Sequence, residues 1–263
     1  MKRIVRNRLG DLLLEAFDKP EKRAAIAWLA LFCELAAQRN RPEVPLTDLL
    51  GAPRAVFPDM DQTVNVALAH LIGPEKLLRL RRADTGEVLS MEMPRVVEGV
   101  PWMVEPAPDA RAAFAAVRER VRLYTGLIAR LGRRAPSGPT EPLRQAMAEA
   151  ALCFNAGLFF EAHEHLEHQW TAQPRGTTRR FLQGIIQISV GFHHAHEGNY
   201  DGAVNQLAKG LEKVAGTTGE MLGLDCTDFL PKVAAAREAI LRRGRAGINP
   251  VPLSEIPRMS VRE

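Results

Sequence analysis

The sequence predicts a mainly α-helical protein, with a C-terminal antiparallel helical bundle and an N-terminal α+β module. From residue 140 to residue 244, apolar side chains recur at helical spacing and are interrupted by turn residues. Two strand-like runs, residues 77–82 and 88–93, follow helical segments in the first part of the chain. A connection rich in glycine, proline and arginine, residues 132–139, separates the two parts.

These patterns divide the chain into four segments. They are an α+β module over residues 1–105, a helix and linker over 106–139 in which the helix covers 109–131, the helical bundle over 140–244 and an extended tail over 245–263. Two domains suit a chain of 263 residues, because a domain usually holds on the order of 100 to 200 residues. The tail contains three prolines, so we expect it to be poorly ordered.

Three helices followed by a hairpin give the N-terminal module the element order of a winged helix-turn-helix. The helices are predicted over residues 20–38, 47–50 and 61–72, and residues 83–86 form the hairpin loop. The third helix, which enters the major groove in such folds, contains no lysine or arginine. A protein-contact or dimerisation role is therefore favoured over DNA binding.

Composition narrows the class of protein further. Apolar residues make up 46% of the chain and charged residues 25%, which is typical of soluble globular proteins. The longest apolar run, residues 24–33, is much shorter than the roughly 20 residues needed to span a bilayer. The three cysteines are far apart and form no Cys-x-x-Cys pair. We expect a cytoplasmic protein without disulfides and without a membrane partner.

The net positive charge is concentrated in one segment. Residues 106–150 contain eight Lys and Arg against four Asp and Glu, whereas the segments on either side are balanced. The formal net charge of +4 therefore arises around six arginines, which are Arg118, Arg120, Arg122, Arg130, Arg133 and Arg134. Such a local excess does not indicate a wide phosphate-binding face, so nucleic acid is not favoured as a partner.

The bundle should contain five helices, whose limits follow from capping residues, glycines and prolines. They are predicted over residues 140–156, 158–171, 177–197, 201–214 and 230–243. Six of the seven histidines lie between His163 and His196, on the second and third of these helices. The bundle is therefore the part of the chain in which chemistry is expected.

Helical positions select a few of these polar side chains. On the second bundle helix, His163 and Glu167 fall within the apolar arc. The side chains on the other side, Glu161, Glu164, His165 and His168, are predicted to form a solvated face. The third bundle helix is apolar almost all round, except for one polar stripe formed by Gln183, Gln187 and His194. Buried polar groups need partners, so we expect this stripe to face His163 and Glu167.

Two interpretations fit this set of residues. In the first, His163, Glu167 and His194 bind a divalent metal ion, such as zinc, iron or manganese, and Gln183, Gln187 and Trp170 support these ligands. In the second, the same residues form a closed hydrogen-bond network inside the bundle. The spacing alone favours the second, because His/Glu pairs four residues apart are common on helices.

The sequence here resembles a known family. The residues that carry the resemblance are Phe154, Asn155, Ala156, Gly157, Phe160, Glu161, Ala162, His163, Glu164, Leu166, Glu167, Trp170, Phe181, Leu182, Gln183, Gly184, Ile185, Ile186, Gln187, His194, Gly198, Asn199, Gly202 and Ala203. This pattern resembles the bacterial and archaeal domain-of-unknown-function family 309 over about residues 142–215. The resemblance implies an all-helical fold and a His-x3-Glu-x2-Trp/Tyr motif, suggested to bind metal, that falls on His163, Glu167 and Trp170. It implies no established activity.

Three hypotheses for function follow. The first is a protein with a divalent-metal site, acting as a small metal-dependent hydrolase in which Glu164 is a conceivable acid or base. The alternative is a non-enzymatic helical interaction module, with a protein partner or a second copy of the chain, in which the same residues stabilise the core. The least favoured is a DNA-binding regulator. A zinc protease is excluded, because Glu167 stands where that motif requires its second histidine.

Overall fold

In the computed structural model the chain forms two compact units, Met1–Arg133 and Arg134–Glu263. The structure describes residues 1–51, 68–73, 75–89, 100–131, 141–247 and 249–262. Both units are rich in helix, and the first contains a small antiparallel sheet. The predicted fold class, a mainly α protein with an N-terminal α+β module and a C-terminal helical bundle, is confirmed.

In its described residues the first unit contains five helices of four or more residues and three strands. Its helices are α1 (Arg3–Ala16), α2 (Pro20–Gln38), α3 (Leu46–Gly51), α4 (Pro108–Arg111) and α5 (Phe114–Leu131). Its strands are β1 (Val44–Pro45), β2 (Leu78–Arg82) and β3 (Trp102–Pro106), in the antiparallel order β1-β3-β2. Buried side chains of α1, α2 and α5, among them Leu9, Trp28, Phe32 and Tyr124, form its core.

Several predicted elements of this unit agree with the structure and others differ. The helix over 20–38 and the start of the hairpin are found, with Gly86 in the turn at a φ of +75°. The third helix (61–72) and the second hairpin strand (88–93) lie largely outside the described residues. The single helix predicted over 109–131 is wrong, because the chain breaks after Arg111 and starts a new helix at Phe114.

The second unit is a bundle of five helices in which each helix packs against the next. They are α6 (Pro142–Asn155), α7 (Phe159–Ala172), α8 (Thr177–His196), α9 (Tyr200–Lys213) and α10 (Cys226–Arg243). A short hairpin of two-residue strands, β4 (Glu220–Met221) and β5 (Leu224–Asp225), precedes α10. The last helix begins a turn earlier than predicted, because the Asp225 side chain accepts a hydrogen bond from the Asp228 backbone N–H and caps it.

Aromatic rings hold the centre of this bundle together. Phe154 of α6 makes edge-to-face contacts with Phe159, Phe192 and Phe229, at centroid distances of 5.0, 5.7 and 5.8 Å. Edge-to-face pairs at such distances contribute beyond simple apolar burial. One ring from α6 thus joins α7, α8 and α10.

The tail after α10 contains two short 3-10 turns, Arg245–Gly247 and Leu253–Glu255, so it is extended only in part, and the expectation that it is poorly ordered is wrong. Val251 and Met259 are buried against the bundle. The Asn155 side chain donates to the Met259 carbonyl at 2.8 Å and accepts from the Met259 N–H at 2.9 Å. An asparagine side chain therefore replaces the strand partner that an extended segment otherwise needs.

Candidate metal centre

The candidate site is built on one face of α7. This helix starts just after Gly157, which adopts a φ of +79°, and it ends before Pro174. Successive helical residues are rotated by about 100°, so His163, Glu164 and Glu167 fall within an arc of about 100°. Local helical geometry alone therefore places these three side chains together.

Their donor atoms lie close enough to share one ion. One imidazole nitrogen and two carboxylate oxygens, from His163, Glu164 and Glu167, all lie within 4.8 Å of one another. The His163 Nε2 is 3.0 Å from Glu164 Oε1. Ligand bonds to zinc are about 2.0–2.2 Å long, so donor atoms of one site stand roughly 3–4.4 Å apart. Small side-chain adjustments would convert the cluster into a coordination site.

The site is accessible to solvent on one side. The His163 side chain is 15% exposed and that of Glu164 is 42% exposed, while Glu167 lies on the surface. On the inner side, the ring of Phe160 makes an edge contact with the His163 imidazole, with centroids 5.0 Å apart. The imidazole is thus held by the core while its ligand partners face outward.

The structure does not bring His194 into this cluster. Its ring lies on α9, where a Cβ added to Gly202 would be only 2.5 Å from His194 Cγ. The Asn199 Nδ2 is 3.2 Å from His194 Nδ1, a position from which the amide can donate to a neutral imidazole. Burial lowers the pKa of His194 below its usual value, in agreement with a neutral ring. In the neighbouring residue, His193, the ring centroid lies 6.3 Å from that of Phe160.

The face of α8 next to His194 packs against α9. Gly191, three residues before His194, lies against Leu207 of α9. Gln183 and Gln187 are half-buried on this helix, and no hydrogen-bond partner of Gln187 Oε1 occurs among the residues that the structure describes.

Trp170 has a structural role at the end of α7. The Arg179 guanidinium stacks 4.2 Å from the centroid of its ring and donates hydrogen bonds to the Trp170 and Gln173 carbonyls. The Trp170 carbonyl lies in the last turn of the helix and also accepts from the N–H of the C-cap residue Gln173 at 3.1 Å, and the Gln173 carbonyl lies just beyond the helix. The motif tryptophan therefore fixes the helix that carries the cluster.

A buried polar pair on the opposite face of α7 was missed by the sequence analysis. His165 donates from Nε2 to Glu149 of α6 at 2.9 Å, and Gln145 donates to the same carboxylate at 3.0 Å. Glu161 is 0% exposed. The predicted solvated face is therefore wrong for Glu161 and His165, because α6 covers it. Glu149, an acidic residue within an alanine-rich helix, was the available signal.

The described fold and site define a helical-bundle protein with a His/carboxylate cluster on one helix. Residues 147–206 match the model of a family described as Domain of unknown function (DUF309). The predicted resemblance of the C-terminal part is thereby confirmed, and the match includes His163, Glu167 and Trp170.

Two similar proteins carry no assigned function. An uncharacterised protein of Aquifex aeolicus (strain VF5) is 26% identical over 97 residues, which are 36% of this chain and 29% of that protein. The uncharacterised protein YpuF of Bacillus subtilis (strain 168) is 31% identical over 84 residues, 31% of this chain and 48% of YpuF. The chain thus spans less than half the length of either relative. No helix in the described ranges is long and apolar enough to cross a membrane.

Proposed function

We propose that the C-terminal bundle binds one divalent metal ion through His163, Glu164 and Glu167. The observation that supports this proposal is the placement of their donor atoms within 4.8 Å of one another. One imidazole and two carboxylates suit zinc, iron or manganese. Glu164 is here a ligand, whereas His194 is not, because its ring lies on α9.

We further propose that this centre performs a hydrolytic reaction on a small substrate. A bound ion held by three protein ligands keeps positions for water and substrate, and it makes that water more acidic. The exposed side of the cluster, at Glu164 and Glu167, gives a substrate access. Phe160 excludes water from the inner side of His163 and limits the rotation of its ring.

Elemental analysis of the full chain, purified without a metal-binding tag, tests metal binding directly. We expect about one equivalent of a transition metal in the wild type and a loss of that metal in His163→Ala. His168→Ala is the matched control, because His168 is exposed on the same helix and outside the cluster. Absence of metal after incubation with zinc, iron(II) and manganese, or equal metal in His163→Ala, would refute the proposal.

The second candidate function is a non-enzymatic helical interaction module. The specific observation that favours it is the Glu149–His165 pair, which shows that this bundle uses histidine and glutamate for structure. Under this alternative, His163→Ala destabilises the fold by about 1–3 kcal/mol and no metal is lost. Chemical denaturation of the same two variants, measured beside the metal content, separates the alternatives.

A further inference from the structure

A cavity of about 290 Å³ lies in the N-terminal unit, where the end of α2 approaches the start of α5. Arg41, Arg111 and Arg118 line this cavity, and Phe114 contributes an apolar wall. Two of these arginines belong to the segment that carries the excess positive charge of the chain. The cavity is distant in sequence from the proposed metal centre and belongs to the other compact unit.

The end of α2 places Arg41 beside the cavity. Asn40 adopts a left-handed conformation, with a φ of +53°. Its N–H donates to the Ala37 carbonyl and the Arg41 N–H donates to the Ala36 carbonyl, at 3.0 and 3.1 Å. These two bonds form a Schellman motif, which ends the helix and turns the chain sharply. The position of Arg41 is therefore set by the backbone.

A buried carboxylate fixes Arg111. Glu105 of β3 is 2% exposed, and its Oε2 is 3.0 Å from Arg111 Nη2. Arg79 and Arg81 of β2 contact the same carboxylate at 2.6 and 3.3 Å. Charge-assisted bonds of this kind restrict the rotation of the guanidinium. Arg111 is thus held in place before any ligand arrives.

The cavity carries positive charge at Arg41 and Arg118, whereas Arg111 shares its charge with Glu105 and Glu43. No carboxylate stands among its described lining residues. Within the described ranges, Arg41 and Arg118 form no ion pair or hydrogen bond through their guanidinium groups. Next to the cavity, three arginines (Arg79, Arg81 and Arg111) stand against only two carboxylates, those of Glu105 and Glu43. The environment therefore favours an anion.

We propose that this cavity binds the phosphate group of a small phosphorylated molecule. Guanidinium groups bind phosphate oxygens in pairs, and three of them at one point suit a terminal phosphate or a pyrophosphate. Phe114 and Pro42 provide apolar surface for the rest of the molecule. A nucleic acid backbone would instead need a row of cations along a surface. The proposal does not depend on the metal centre.

Calorimetric titration of the full chain with inorganic phosphate, pyrophosphate and a short DNA duplex tests this site. We expect pyrophosphate to bind with a stoichiometry of one, and Arg41→Ala and Arg118→Ala each to weaken binding by about tenfold or more. Arg130→Ala is the matched control, because Arg130 is exposed on the same helix and outside the cavity. His163→Ala should bind pyrophosphate as the wild type does, which separates this site from a metal-bound phosphate.

Three results would overturn the proposal. The first is no binding of phosphate or pyrophosphate to the wild type. The second is an equal loss in all three arginine variants, which would show a diffuse electrostatic effect. The third is binding of the duplex alone, which would identify the arginines as a nucleic acid contact. Circular dichroism of each variant shows that it is folded, as expected for substitutions of exposed arginines.

Discussion

His165 of α7 and Glu149 of α6 form a buried hydrogen bond, with 2.9 Å between Nε2 and Oε2. It joins two neighbouring helices at a point where both side chains are largely removed from water. Polar groups in such a position stabilise a fold only while both partners are present. This pair therefore makes a clear test of the packing of α6 on α7.

We expect Glu149→Leu alone to lower the free energy of unfolding by about 1–3 kcal/mol, because it removes the carboxylate that lies 2.9 Å from His165 Nε2. The double variant Glu149→Leu/His165→Phe should lose less than the sum of the single variants, since both members of the pair are then replaced and the exposed Gln145 amide can turn to water. Urea denaturation of the four proteins in this cycle measures the coupling energy. Additive losses would show that the two side chains act independently.

Stability should depend on the protonation of His194. Burial lowers the pKa of this ring in the folded protein, so the unfolded chain binds a proton more readily. The neutral His194 ring contributes its full stabilisation above the ordinary histidine pKa of about 6.5. This stabilisation is lost as the pH falls through the lower pKa of the folded protein. As the pH is lowered from neutral to mildly acidic values, the free energy of unfolding should decline more steeply in the wild type than in His194→Gln.

The close packing of α8 on α9 depends on glycine. A Cβ at Gly184 would lie 2.5 Å from Val214 Cγ1 and 3.0 Å from the Gly210 carbonyl oxygen. We expect Gly184→Ala to destabilise the protein by about 1–3 kcal/mol, because the helices must separate. Gly126→Ala on α5 is the control, since no described atom beyond the adjoining helix backbone lies within 4 Å of the added Cβ, and it should stabilise by about 0.5–1 kcal/mol. Thermal melts should show a lower Tm for Gly184→Ala and a higher Tm for Gly126→Ala than for the wild type.

The cysteine thiols should be inert in the folded protein. Burial raises the pKa of Cys33 to about 12 and also raises that of Cys226, while Cys153 is buried as well. At pH 8 the thiolate fraction of Cys33 is then on the order of 10⁻⁴, which makes reaction with a disulfide reagent very slow. All three thiols should react once the protein is denatured. His168→Cys, which adds a thiol at an exposed position, should react at once and serves as the positive control.

Sequence patterns predicted the helices well because helical periodicity is a local property. The helix over 20–38 and the helices of the bundle follow from residues a few positions apart. The sheet could not be predicted in the same way, since Val44 of β1 pairs with Val104 of β3 across most of the unit. Such short strands carry no periodic signal of their own.

Predicting the candidate site required knowing which faces of α7 and α8 meet. A single helix shows where His163 and Glu167 lie, but it does not show which neighbour covers each face. For that reason His194 was expected beside His163, although Gly191 and its neighbours turn this stripe toward α9. The proximity of Glu164 to His163 is a local feature, and it was available from the sequence.

The tail that packs on the bundle has a consequence for the order of folding. Asn155 and Met259 are 104 residues apart in the chain, whereas the helices of the bundle pack against their immediate successors. Closing so long a loop costs more conformational entropy than forming contacts between neighbours, and it slows the step that depends on it. The helices can therefore assemble first, and the segment from Val251 to Met259 then docks on a surface that exists only once α6 is in place in the bundle.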